Sequence, residues 1–168
     1  MFAKKNLSEI YTKYLVANKH PFARQDVLEL FWDSNKKYKA DILQMLEVAI
    51  AGQDTTKLQF CLAASSRDGL DKDYSNSFYK IILDTWHEEH EDLVDCVSNL
   101  NDERFCEPFF IIATDKSTYR KFDDELEATL RKCVHALIAI NTSKSLDFLI
   151  KLKETQNSNV LDVMEMYK

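Results

Sequence analysis

His87 and His90 stand in the run His87-Glu88-Glu89-His90-Glu91, the first place in this chain to look for metal chemistry. A zinc peptidase needs H-E-x-x-H, which puts two imidazoles at i and i+4 on one helical face with a glutamate as base. Here the spacing is i and i+3, and no third ligand stands out, so no metal site is expected. The run is better read as a helix boundary. Trp86 packs at the end of one helix, and His90-Glu91-Asp92 opens the next, where carboxylates complement unpaired N–H groups. His135 lies in the nearly apolar run 133–140 and is predicted to be a satisfied core histidine.

Other chemistry is sparse. Cys61, Cys96, Cys106 and Cys133 form no C-x-x-C pair, and each sits in a helical apolar context. They are expected to be reduced core thiols of a cytoplasmic protein. No G-x-G-x-x-G, G-K-[ST] or G-x-S-x-G occurs, so phosphate cradles and nucleophile elbows are not expected. Neighbouring acids abound, but a catalytic pair needs a cleft that separates their pKa values. The expectation is a non-enzyme without cofactor or metal.

The elements that carry these residues must be helices. Two glycines and two prolines in 168 residues are too few for the tight turns of sandwiches, barrels or doubly wound sheets. The length suits a single α-helical domain over residues 1–168. No apolar run approaches the roughly 20 residues that span a membrane. Lys4 and Lys5 are followed by no apolar signal segment.

About ten short helices can be traced. Asn6 caps the first, with Glu9 as capping-box partner, and His20-Pro21 breaks the chain after it. Val27, Leu28, Leu30, Phe31 and Trp32 form a short apolar helix. A helix over 41–51 stops at Gly52, and Asp54 opens the next. Residues 65–73 are the best loop candidate. The longest helix is expected to be capped by Asp123 or Asp124, with Glu127 completing a box, and to run inward through Leu126, Leu130, Cys133, Val134 and Leu137. A last amphipathic helix carries Val160, Val163, Met164 and Tyr167.

Part of the chain nearly repeats. Leu93, Cys96, Val97 and Leu100 recur as Leu130, Cys133, Val134 and Leu137, offset by 37 residues. A polar break follows each set, Asn101-Asp102-Glu103 and Asn141-Thr142-Ser143, and then a second apolar helix. Helix-turn-helix units spaced near 40 predict an all-α, HEAT-like α-solenoid, with repeats at about 88–156. Such surfaces usually bind macromolecules.

Charge narrows the partner. Net charge is −6, yet the window 84–127 holds fourteen acids against four bases, leaving −10 there and +4 elsewhere. A belt this acidic repels nucleic acid; it would attract basic proteins, or it is a solvated helical face that keeps the protein soluble.

The order W-H-x-x-H-E-D-x-V, then aromatic-Asp-Asp, then K-C-x-x-A-L resembles small HEAT-like immunity proteins of bacterial polymorphic toxin and contact-dependent growth inhibition systems. The matching residues are Trp86, His87, His90, Glu91, Asp92 and Val94, then Phe122, Asp123 and Asp124, then Lys132, Cys133, Ala136 and Leu137. The match covers about residues 81–153. Where related sequences carry Gly after Ala-Leu, this chain has Ile138-Ala139-Ile140-Asn141, and a short K-D-P turn is replaced by Asn101-Asp102-Glu103.

The resemblance implies a cytoplasmic protein that binds the C-terminal toxin domain of its sibling system and blocks the active site or substrate access. A basic nuclease, ribonuclease favoured, would meet the acidic belt in place of nucleic acid. Glu88, Glu89, Asp95, Asp102, Glu103 and Glu107 are the expected contacts. Asp123 and Asp124 join them, although capping already accounts for both. Trp86, His87 and His90 are expected to be architectural. The alternative is a non-enzymatic α-solenoid adaptor that joins other proteins; a HEAT-like nucleic-acid enzyme would need a basic groove.

Overall fold

The computed structural model describes residues 6–17 and 21–168. Lys4, Lys5 and His20, used above in reading the N-terminus and the first break, lie outside them. The described residues contain helices and no strand. The chain divides into two compact units, Met1–Gly69 and Leu70–Lys168. No helix among the described residues is long and apolar enough to cross a membrane.

The first unit holds α1 (Leu7–Val16), α2 (Pro21–Phe31), α3 (Lys39–Gly52) and α4 (Thr55–Asp68). Asn6 caps α1 by accepting from the Glu9 N–H at 2.9 Å, and Asp54 caps α4 through the Lys57 N–H. Pro21 begins α2, the position where a missing N–H costs least. The helix α3 ends at Gly52, and Gln53 takes the left-handed cap at φ 49°.

Phe60 on α4 is fully buried and meets Tyr11 and Tyr14 of α1 at ring-centroid distances of 5.0 and 5.1 Å. The expected loop over 65–73 is mostly helix. Its first four residues continue α4 because they have work inside the unit. Ser65 is buried and donates to the Leu62 carbonyl, while buried Asp68 accepts the Tyr38 N–H at 3.0 Å. The chain leaves the helix at Gly69, whose φ of 104° few other residues adopt.

The second unit holds α5 (Ser75–Ile81), α6 (His90–Ser98), α7 (Cys106–Thr114), α8 (Lys116–Tyr119), α9 (Ala128–Ile140), α10 (Ser143–Glu154) and α11 (Ser158–Glu165). Two 3-10 turns, Lys72–Tyr74 and Glu103–Phe105, lead into α5 and α7. The helix α9 is the hub and packs on α6, α7, α10 and α11; α7 also packs on α10. All eight apolar residues of the 37-residue repeat are buried, on α9 and at α6 with the turn that ends it. Asn101 and Asn141 both take the left-handed conformation that closes a helix, at φ 49° and 51°.

All four cysteines are free and buried. Burial pushes the Cys61 thiol up to about 12 and raises Cys133 as well, so both stay protonated and unreactive.

The start of α9 departs from the sequence expectation. The helix begins at Ala128, and Leu126 points into solvent instead of the core. The cause is Arg120, whose side chain is only 5% exposed. Its Nε donates to the Ile112 carbonyl at 2.9 Å and Nη2 to the Ala113 carbonyl at 2.8 Å, closing the end of α7. Its Nη1 reaches Asp123 and Glu127, both at 3.1 Å.

Asp123 turns inward to accept from Thr129 N, Thr129 Oγ1 and Leu130 N, and so caps α9 from six residues away. Glu127 turns inward at φ 46° and accepts from Asn157 and Asn159 at the start of α11. No capping box between Asp124 and Glu127 forms, because the Glu127 carboxylate is held by this cluster. Burial alone would raise both carboxyls. The hydrogen bonds outweigh it and hold Asp123 low and Glu127 at about 2.

Replacing Arg120 with Met leaves Asp123 without its cation and Glu127 with only the half-exposed Lys116, 3.6 Å away. The expected loss is about 3–5 kcal/mol in urea unfolding of the full chain. An Arg120→Lys chain is expected to recover little, since one ammonium cannot reach four acceptors arranged for a planar fork. Equal stability of wild type and Arg120→Met would remove the cluster from its structural role.

Candidate partner-binding surface

The segment 82–89 joins α5 to α6, and its aromatic and imidazole groups hold that join together. His87 and His90 are both buried. The His87 Nδ1 accepts the Glu89 N–H at 3.2 Å, so its Nε2 must carry the proton it donates to the Ile81 carbonyl at 2.9 Å. The ring is neutral, and neither nitrogen is left for a metal. His90 Nε2 lies 3.0 Å from the Asp84 carbonyl and donates to it. Trp86 Nε1 donates to the Asp84 carboxylate at 2.9 Å.

The rings of Trp86, His87, His90 and Tyr119 follow one another at centroid distances of 4.8, 4.8 and 4.9 Å. Tyr119 adds a hydrogen bond to the Leu83 carbonyl. These side chains satisfy the carbonyls where α5 ends and fix where α6 starts. Among the described residues no group of three or more His, Cys, Asp or Glu could hold a metal ion.

His135 is not in the core. It is half-buried, its Nδ1 is hydrogen-bonded with the Tyr167 hydroxyl at 2.7 Å, and the two rings meet edge to face. The second half of α9 is therefore not buried all round. It faces a cleft of about 390 Å³ lined by Asp95, Ser98, Asn99, Lys132, His135 and Tyr167 among others.

The eight expected contact acids fall into three groups. Four are joined to bases of this chain. Glu88 pairs with Lys121. Asp95 shares Lys132 with Glu91, at 2.6 and 2.7 Å, and so ties α6 to α9. Asp102 caps the 3-10 turn and holds the Arg104 guanidinium through both carboxylate oxygens; this bonding to Arg104 keeps its carboxyl below the usual range. Asp123 belongs to the buried Arg120 cluster, with a side chain 3% exposed, and presents nothing to a partner.

Glu89 forms the second group. It is half-buried, and its N–H is held by His87. Glu103, Glu107 and Asp124 form the third: they are exposed and make no ion pair with described residues. Glu103 and Glu107 stand at the entry to α7, where the helix dipole favours them. Asp124 stands in the turn before α9 and accepts the Leu126 N–H at 2.8 Å.

The four bases counted in the belt hold particular acids: Arg104 holds Asp102, Lys121 holds Glu88, Arg120 holds Asp123 and Glu127, and Lys116 also reaches Glu127, while Lys132, outside the window, holds Glu91 and Asp95. The surviving negative surface is therefore narrower than the count of carboxylates suggests.

Burial lowers His90 to about 4, helped by neighbouring His87, and lowers His87 too. An unfolded imidazole titrates near 6.5, so between about pH 6.5 and 4 the unfolded chain binds more protons. The stability from the neutral imidazole is complete above about pH 6.5 and is lost as pH falls to about 4. The expected loss at His90 is roughly 2–3 kcal/mol, read by urea unfolding across that range. His90→Gln keeps an N–H for Asp84 without titrating, and should flatten that part of the profile. An unchanged slope would assign the acid lability elsewhere. Glu127 acts in a lower window, its contribution present above about 4.5 and lost toward 2.

Compared with known proteins, the chain has no match: no family model, curated protein or solved structure matches it.

Proposed function

We propose that this chain is a cytoplasmic immunity protein of a bacterial polymorphic toxin system, that it is not an enzyme, and that it neutralises the C-terminal toxin domain of its sibling protein by binding. The toxin class it fits is a nuclease, ribonuclease favoured, with active site or substrate access occluded. The observation that carries this is where the shared motif residues fall. Trp86, His87 and His90 lock the α5–α6 join, Asp123 caps α9, Lys132 bridges α9 to α6, and Cys133, Ala136 and Leu137 are core. Most residues that resemble the family thus build one scaffold, and exposed acids, Asp124 of the motif among them, decorate it.

The stacking of α6 on α9 and of α7 on α10 supports a HEAT-like solenoid, since equivalent helices of successive repeats pack on one another. Glu103, Glu107 and Asp124 are the acids best placed to meet a basic cleft, with Glu88 and Asp95 available if a partner draws off their lysines. Neutral adaptor function is favoured by a different observation: four of the eight expected contact acids are already paired within the chain.

The deciding experiment expresses the C-terminal domain of a large secreted protein encoded beside this chain, with and without it. Growth rescue and a complex on size exclusion are expected. Charge reversal of Glu103 and Glu107 should slow association several-fold and steepen with falling salt if they lie at the rim. Acids central to the interface should instead raise the off-rate. A stable fold with no rescue and no complex would leave the adaptor reading in its place.

A further inference from the structure

The turn 122–127 is inside out. Its carboxylates Asp123 and Glu127 point inward, with side chains 3% and 12% exposed, while Phe122 and Leu126 are 74% and 69% exposed. Ordinary burial preferences would reverse all four. The arrangement is held firmly. Arg120, Thr129, Asn157 and Asn159 fix the two inward acids, and Glu127 sits in the left-handed region, which disfavours a side-chain-bearing residue. Single exposed apolar residues need no explanation, but two on one rigid turn, purchased with two buried carboxylates, do.

We propose that Phe122 and Leu126 are a preorganised anchor that enters an apolar socket on a basic protein surface. The rim sets the sign of the partner. Lys121 is already engaged, paired with Glu88 and lying 5.2 Å from the Phe122 ring centroid. Asp124 and Glu125 are exposed and make no ion pair among the described residues, so the rim offers uncompensated negative charge. An aromatic and an aliphatic anchor ringed by polar groups is how binding energy concentrates at protein interfaces. Rigidity lowers the ordering cost of docking, because Arg120 has already fixed the turn. The partner is the toxin domain, so the proposal rests on the immunity reading.

The probe is the catalytically inactivated C-terminal domain of the secreted protein encoded beside this chain, titrated calorimetrically against the full chain. The variant Phe122→Ser/Leu126→Ser should bind about 30-fold more weakly or worse. Its melting temperature should stay near that of wild type, because neither side chain is buried. Ile150→Ser, at another exposed apolar residue of the same unit, should bind as wild type does. If wild type binds and the double variant binds equally, the anchor is wrong and the immunity reading stands. If Ile150→Ser weakens binding as much, the anchor is also wrong, because no single turn is favoured. If wild type does not bind, both fall. A wild-type dimer in sedimentation that the double variant abolishes would make a second copy the occupant and overturn the basic partner.

Discussion

A guanidinium removed from water is the constraint on which the second unit depends. Arg120 has five N–H donors and no acceptor, and its charge cannot be given up. Burying it demands acceptors from every side, and the chain supplies two carbonyls of α7 and two carboxylates from the turn before α9. One side chain thereby closes α7, sets the entry of α9 and, through Glu127, docks the start of α11. A lysine offers a point charge where these acceptors need a planar fork.

That cluster changes what the acidic composition means. Carboxylates counted along the chain are not carboxylates facing a partner. Some are turned inward, some are held by lysines that cross from one helix to the next, and some satisfy helix ends. The exposed expected contact acids that make no ion pair among the described residues lie at the entry to α7 and in the turn before α9.

The histidines illustrate how a motif can look chemical and be structural. Buried imidazoles beside backbone carbonyls stay neutral, since charging them would require water that the join of α5 and α6 excludes. Trp86, His87 and His90 therefore act as a latch. Residues that secure a scaffold can be shared by proteins with different partners, so specificity has to come from side chains outside that set. Phe122 stands in solvent beside these structural groups.

Much of the architecture was legible in the residues. Sparse glycine and proline, caps at Asn6 and Asp54 and a helix opening at His90 all act over a few residues, and local preferences largely decide them. Even the left-handed Asn101 and Asn141 follow the polar breaks read from the chain. The inward turn of Asp123 and Glu127, the outward turn of Leu126 and the exposure of His135 depend on groups distant in sequence. Asn157 lies 30 residues from Glu127, and Tyr167 lies 32 from His135. Periodicity assigns a residue to a face of its own helix. Only tertiary packing decides which face meets a buried cation, because burying a charge is favourable only where every partner arrives together.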